Sequence, residues 1–95
     1  MKLSIEEIEK RLLALPEWNL SGQKLHREYK FPDFALAIGF LAASAPAIEK
    51  LDHHPEWSNV YNRVTVDLTS HDAGGITERD FRLAGVLEGI AKRLL

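Results

Sequence analysis

The chain has 95 residues, of which 45% are hydrophobic and 27% are charged, with a net charge of −2 and no cysteine. Such a length and composition are typical of one globular domain, so residues 1–95 are treated as a single domain. The weak negative charge offers no basic surface for nucleic acid or for an anionic membrane. The lack of cysteine excludes disulfides, thiolate metal sites and thiol nucleophiles.

The first thirty residues predict a helix followed by a hairpin. Ser4 and Glu7 have the spacing of a capping box, so a helix is expected to begin after Ser4 and to stop before Pro16. The charged residues of this helix leave no apolar signal-peptide region, and we therefore expect a cytoplasmic protein. Polar and apolar residues then alternate on both sides of Ser21-Gly22, which predicts two strands.

A second helix is predicted from Asp33, its N-cap, to about Leu51. No charged residue occurs between Phe34 and Ile48, although a helix on the surface of a monomer would show a polar stripe. Fifteen uncharged residues are too few for a membrane span. The pattern therefore predicts that helix 33–51 packs on the sheet with one face and on another subunit with the other, in a homodimer or homotetramer.

The next predicted element is a second hairpin, with strands at 58–61 and 64–69 joined by a loop at Asn62-Arg63. In this register the numbers of opposed residues sum to 125, and extending it places His54 opposite His71. Directly opposed residues have Cβ atoms about 5 Å apart. Histidine, with a usual pKa of about 6.5, exchanges protons near neutral pH. The register thus predicts a proton-transfer site made by these two imidazoles.

A last helix is expected to begin at Thr77 as N-cap, with Asp80 in its acidic first turn. The element order is then α-β-β-α-β-β-α. This order predicts an α+β fold in which a four-stranded antiparallel sheet carries three helices on one face.

Seven residues of the second half of the chain form a spaced pattern. An acidic residue is followed by His-His-Pro, an aromatic residue, a third histidine and an aspartate: Glu49, His53, His54, Pro55, Tyr61, His71 and Asp80. The pattern and its spacing resemble those of the pterin-4a-carbinolamine dehydratases, and the element order over nearly the whole chain fits that family. One departure is Asp72-Ala73, where some members carry Glu-Cys, which puts ligand contacts at this point in question.

The resemblance implies a dehydratase that acts on 4a-hydroxytetrahydropterin, the product that aromatic amino-acid hydroxylases release. It implies neither a metal nor a nucleotide cofactor. By the family pattern His54 and His71 carry the proton transfers, and His53 helps to bind and orient the substrate. The sequence does not assign acid and base between them, nor does it define the pterin side chain or the stereochemical preference at C4a.

The resemblance also suggests residues that contact the pterin, each with a structural alternative. Glu49 and Asp52 either bind the pterin and orient an imidazole or are ordinary charges at a helix end. Trp57 either stacks on the ring or packs in the core, and core packing is favoured. A cap role alone explains Asp80. The full predicted set of binding residues is Glu49, Asp52, Trp57, Thr69, Ser70, Asp72 and Asp80.

Two other classes of function stay open. The three histidines and a carboxylate have the donor types of a zinc site, but adjacent side chains in extended backbone point to opposite faces, which opposes a shared ion at His53 and His54. The family also includes a transcriptional coactivator and relatives linked to molybdopterin, so helix 33–51 could bind a partner. A 4a-hydroxypterin-producing hydroxylase in the same cell would favour the enzyme.

Overall fold

The computed structural model describes residues Met1–Leu95 and confirms the predicted fold and element order. A short 3₁₀ turn, His71–Ala73, precedes the last helix. The sheet is antiparallel throughout, with strand order β1-β2-β4-β3, so β1 and β3 are its edges. The helices and strands are α1 Ile5–Leu12, β1 Asn19–Ser21, β2 Lys24–Lys30, α2 Phe34–Leu51, β3 Glu56–Val60, β4 Arg63–Leu68 and α3 Glu78–Lys92.

The two faces of the sheet differ because side chains alternate along each strand. One face is covered by the helices, and its residues are buried with those of α2 and α3 in a single core. Lys24, His26, Glu56 and Asp67 are on the other face, which is more exposed and which we call the outer face. The main buried residues are Leu25, Tyr29, Phe31, Phe40, Val64, Val66, Leu68, Leu83 and Leu87.

The first helix is shorter than predicted. The helix ends at Leu12, and turns at 13–14 and 16–17 follow where the sequence predicted more helix. The Ser4 hydroxyl accepts a hydrogen bond from the Glu7 amide at 3.2 Å, as expected. The Glu7 carboxylate, however, pairs with Arg11 one turn later at 3.3 Å, so only half of the predicted capping box forms.

The second helix begins and ends as predicted. Asp33 caps it by accepting from the Leu36 amide at 2.8 Å. One stripe of the helix is buried against the core, namely Ala37, Phe40, Ser44 and Ile48. Beside this stripe, Phe34 and Ile38 are 49% and 40% exposed. By length and composition alone this helix could also cross a membrane, a property that buried helices of soluble proteins share.

The predicted register of the second hairpin is wrong by two residues. Trp57 pairs with Val66 and Glu56 pairs with Asp67, so opposed residue numbers sum to 123. The turn is Tyr61-Asn62 instead of Asn62-Arg63, and Tyr61 takes a left-handed conformation with φ of 52°. A shift of two keeps every side chain on its predicted face, because strands repeat every two residues.

Hydrogen bonds around this turn explain the observed register. The Asn59 side chain donates to the carbonyls of Tyr61 and Arg63, at 3.0 and 2.9 Å. The Asn62 side chain donates to the Phe31 carbonyl at 2.9 Å, and the Phe31 amide donates to the Asn62 carbonyl at 2.8 Å. These bonds offset the cost of a left-handed tyrosine and attach the turn to the end of β2.

Candidate active site

His53 is held by Asp80 inside the protein. Asp52 ends α2 in a left-handed conformation, with φ of 51°, and turns the chain so that the His53 ring points inward. His53 is only 9% exposed, and its Nε2 lies 2.5 Å from Oδ1 of Asp80, which has no exposed surface. The pair joins the end of α2 to the start of α3.

The second oxygen of Asp80 joins two more groups to this pair. Oδ2 accepts from the Ser70 hydroxyl and from the Thr77 amide, both at 2.8 Å. The hydroxyls of Ser70 and Thr77 are also 2.8 Å apart. Asp80 is therefore a helix cap, as the sequence indicates, and at the same time the group that orients His53.

His54 lies on the surface beside the last turn of α2. Its Nε2 is 3.2 Å from Oε1 of Glu49, and both side chains are largely exposed. Adjacent backbone positions thus place His53 inward and His54 outward, as expected for extended chain.

His71 is also exposed and lies in the 3₁₀ turn. Its Nε2 is 3.1 Å from Oε2 of Glu56, the first residue of β3, and the other oxygen of Glu56 is 2.5 Å from Nζ of Lys24. Hydrogen bonds from Lys24 and then from His71 lower the pKa of Glu56. Sequence reasoning missed Glu56. The sequence signal that could have indicated Glu56 is its position directly after His-His-Pro, at the start of the following strand.

The expected pairing of His54 opposite His71 is wrong. The ladder between β3 and β4 stops at Glu56 and Asp67, and each imidazole binds a different carboxylate. The two histidines nevertheless share one region of the molecule. His53 is bonded to Asp80 and Glu56 is bonded to His71, so both contact the segment 71–80. His54 lies between His53 and Glu56 in the chain, and its Cα is therefore at most about 8 Å from that of Glu56.

The backbone of the strand end after β4 is paired within the chain. The Ser70 amide donates to the Gly75 carbonyl at 3.0 Å, and the Gly75 amide donates back at 3.2 Å. The side chain of Ser70 is buried, so its contacts are structural, and its predicted contact with substrate stays a prediction. The two bonds close residues 71–74 into a small surface loop.

The remaining predicted binding residues have separate contacts. The Thr69 hydroxyl donates to the Gln23 carbonyl at 3.1 Å. Asp72 accepts from Arg79 at 2.7 Å, and this bond lowers the pKa of Asp72. Trp57 is half-buried, with its ring centroid 6.3 Å from that of Phe40, which agrees with its expected packing in the core.

The main clefts are not lined by His53, His54 or His71. A cleft of about 250 Å³ lies between the N-terminal segment, the turn after β1 and Ile76. A groove of about 210 Å³ on the outer face borders Glu56, Ser58 and Asp67. No group of three or more His, Asp or Glu side chains is placed to hold a metal ion. The candidate site is therefore an open surface around the histidines.

Comparison with known proteins gives consistent results. Residues 1–90 match the family model described as pterin 4 alpha carbinolamine dehydratase. Two bacterial proteins carrying the name "Putative pterin-4-alpha-carbinolamine dehydratase" are similar over nearly their whole length. The one from Solibacter usitatus is 54% identical, with 95% of each chain covered. The one from Chelativorans is 49% identical, with 97% of this chain and 96% of the relative covered.

A solved structure is similar as well. The crystal structure of a transcriptional coactivator/pterin dehydratase from Brucella melitensis has a TM-score of 0.92 and 44% identity, covering 96% of this chain and 99% of that one. The fold, the spacing of the histidines and these matches agree. The chain belongs to the pterin 4 alpha carbinolamine dehydratase family, a family of hydro-lyases.

Proposed function

We propose that the protein dehydrates 4a-hydroxytetrahydropterin to the quinonoid dihydropterin by histidine acid–base catalysis, and so recycles the pterin cofactor of aromatic amino-acid hydroxylases in the cytoplasm. In this reaction the C4a–OH bond breaks, N5 loses its proton, a C4a=N5 double bond forms and water leaves. The reaction needs an acid for the departing hydroxyl and a base for the N5 proton. General acid–base groups of this kind each contribute roughly 10²–10⁴-fold to the rate.

The observation that carries the proposal is that each of the three histidines of the family pattern has a carboxylate partner. His54 and His71 are exposed and bonded to Glu49 and Glu56, so a substrate reaches both rings. We assign the two proton transfers to them. His53, fixed by Asp80, positions the substrate from the inner side.

The other predicted binding residues have separate roles in this proposal. The exposed carboxylates of Glu49, Asp52 and Asp72 are available for the amino groups of the pterin ring. Trp57 borders the site from β3, and Thr69, whose hydroxyl is bonded to Gln23, borders it from the turn between β1 and β2. Ser70 and Asp80 support the site from within.

The test is a dehydration assay with 4a-hydroxytetrahydropterin, comparing the wild type with His54→Ala and His71→Ala. We expect each variant to lose at least about 100-fold in kcat. His26→Ala is the matched control, because His26 is bonded to Asp67 on the outer face, 2.8 Å away, and has no part in the proposed chemistry. Near-wild-type turnover in both site variants would refute the assignment.

A second candidate function is partner binding, which the name of the Brucella structure favours. The exposed apolar face of α2, around Phe34 and Ile38, is the surface that would take part. The two functions are distinguished by the assay above. If the purified, folded wild type shows no dehydration of the substrate, the binding function is the better account of the fold.

A further inference from the structure

Glu56 joins a predicted catalytic histidine to a lysine two strands away on the outer face of the sheet. One carboxylate oxygen lies 3.1 Å from Nε2 of His71, and the other lies 2.5 Å from Nζ of Lys24. Each oxygen has its own partner, so rotation of the carboxylate would break both bonds. The position of the carboxylate is thus defined from two directions.

The order of the strands produces this arrangement. Glu56 faces outward at the start of β3 and is paired with Asp67 on β4. Lys24 begins β2, on the other side of β4, and its long side chain crosses β4 to reach Glu56. The hydrogen bond from Glu56, and the charges of Glu56 and Asp67, raise the pKa of Lys24. Lys24 therefore carries its charge at neutral pH, and Glu56 is ionised beside it.

An ionised carboxylate accepts hydrogen bonds and cannot donate them. When the His71 ring is neutral, its Nε2 must therefore carry the proton that is donated to Glu56. Nδ1 has no hydrogen-bond partner within the chain, and 79% of the His71 side chain is exposed. Nδ1 then carries a free lone pair, because the partner of one ring nitrogen determines the protonation state of the other.

We propose that Glu56 is a positioning residue for His71, which holds the ring in the Nε2–H tautomer with Nδ1 free to exchange protons with the pterin, and that Lys24 fixes the Glu56 carboxylate. The proposal rests on the proposed dehydratase function only for its kinetic consequence. The contact itself is independent of substrate.

The exposure of these side chains makes the proposal testable without loss of the fold. Exposed ion pairs contribute little to stability, so Glu56→Gln is expected to melt close to the wild type. Glu28→Gln is the matched control, since Glu28 is another outer-face strand glutamate beside a histidine, with 3.6 Å between its Oε2 and Nε2 of His26.

Two measurements are made on the wild type and both variants. The first is steady-state dehydration of 4a-hydroxytetrahydropterin. We expect Glu56→Gln to lower kcat about 10-fold and to change KM by less than about twofold. This loss is smaller than the roughly 10²–10⁴-fold contribution of a complete acid–base group, because His71 itself is retained. The second is the ¹⁵N NMR spectrum of the ring nitrogens of His71, without substrate. We expect a single Nε2–H tautomer of the neutral ring in the wild type and Glu28→Gln, and a mixture of both tautomers in Glu56→Gln.

A tautomer that is unchanged in Glu56→Gln overturns the proposal, whether or not kcat falls. Unchanged kcat with a changed tautomer overturns the catalytic part of it. If the wild type has no dehydratase activity, the proposed function fails, but the NMR arm still tests the contact. The two failures are therefore distinguishable.

Discussion

Asp80 shows how one side chain serves both the fold and the candidate site. It has no exposed surface, and its two oxygens accept from His53, Ser70 and the Thr77 amide. A buried carboxylate is tolerated only when it is fully hydrogen-bonded. Here the bonds that satisfy it are also those that orient His53 and hold the base of the 71–74 loop.

We predict that Asp80→Asn destabilises the protein by about 3 kcal/mol, because the amide cannot accept from all three donors and leaves one buried group unpaired. Thermal or urea unfolding measures this change. Asp33→Asn is the control, since Asp33 is an exposed N-cap and asparagine caps a helix as well as aspartate does. Equal melting of the two variants would show that the Asp80 bonds are not important for stability.

The sequence predicted the cap role of Asp80 but not its contact with His53. The cap role follows from the local spacing of Thr77 and Asp80, which can be recognised within a four-residue segment of the sequence. The contact joins residues 27 positions apart and depends on the left-handed Asp52 that turns His53 inward. No local pattern indicates such a conformation at an aspartate, although aspartate adopts it more readily than most residues.

At the scale of elements, α2 has a buried face and an apolar exposed face, while β3 is an open edge of the sheet. Both surfaces are candidates for self-association, because apolar patches and unpaired strand edges bind other chains. The uncharged stretch of α2 is the basis of our prediction that the oligomer forms through this helix.

We predict that the protein sediments as a dimer or tetramer at micromolar concentration. Ile38→Glu should dissociate this oligomer and leave the monomer folded, because Ile38 is exposed and a charge at this position opposes apolar packing between subunits. Analytical ultracentrifugation measures the mass, and circular dichroism checks the fold. Val60→Glu is the comparison, since Val60 is 74% exposed at the β3 edge. A wild type that is only monomeric, or dissociation by Val60→Glu alone, would contradict the prediction.

The register error in the second hairpin has a physical cause at this scale. Asparagine favours turns, and the sequence therefore predicts a loop at Asn62-Arg63. The observed turn uses the same Asn62, with Tyr61 before it. An aromatic residue rarely adopts positive φ, so its presence in the turn had no sequence signal. The Asn62 bonds to Phe31 select this turn, and they come from another hairpin.

For the whole molecule, Glu88 connects parts of the chain that are distant in sequence. Its carboxylate accepts from the Trp18 indole and the Tyr29 hydroxyl, both at 2.8 Å, and from the Arg27 guanidinium at 3.2 and 3.3 Å. The guanidinium lies 4.1 Å from the centroid of the Tyr29 ring. The cluster attaches α3 to β2 and to the segment before β1.

The sequence indicates two members of this cluster. Arg27 falls in the inward row of β2 and Glu88 in the buried stripe of α3, four residues after Ala84, so both are charges in apolar positions. The pairing itself joins residues 61 apart and could not be predicted without the packing of α3 on β2.

The cluster predicts a dependence of stability on pH. Burial acts to raise the pKa of Glu88, but the hydrogen bonds from Arg27, Tyr29 and Trp18 outweigh it, and the pKa is lowered in the folded state. A carboxylate with a lowered pKa stabilises the fold above its unfolded pKa, about 4.3. That stabilisation is lost as the pH falls from this value through the folded pKa.

We therefore predict that Glu88→Gln lowers the free energy of unfolding by about 3 kcal/mol at pH 7, since Arg27 is left without its charge partner. This difference from the wild type should be constant above about pH 5 and become smaller below about pH 4. Urea unfolding over this pH range measures it. Glu78→Gln removes only an exposed pair with Arg11, at 3.4 Å, and should change stability by less than about 1 kcal/mol throughout. A pH-independent difference for Glu88→Gln would contradict the argument.

The bridge between Ser70 and Gly75 has a consequence for how this protein can change over evolutionary time. It closes residues 71–74 into a surface loop in which His71, Asp72 and Gly74 are exposed and Ala73 is half-buried. Substitutions and short insertions in such a surface loop are tolerated by the scaffold that carries it. If His71 carries the proposed proton transfer, changes in this loop alone remove catalysis and leave the exposed surface of α2 intact, so that an active protein and an inactive relative would differ by a few residues.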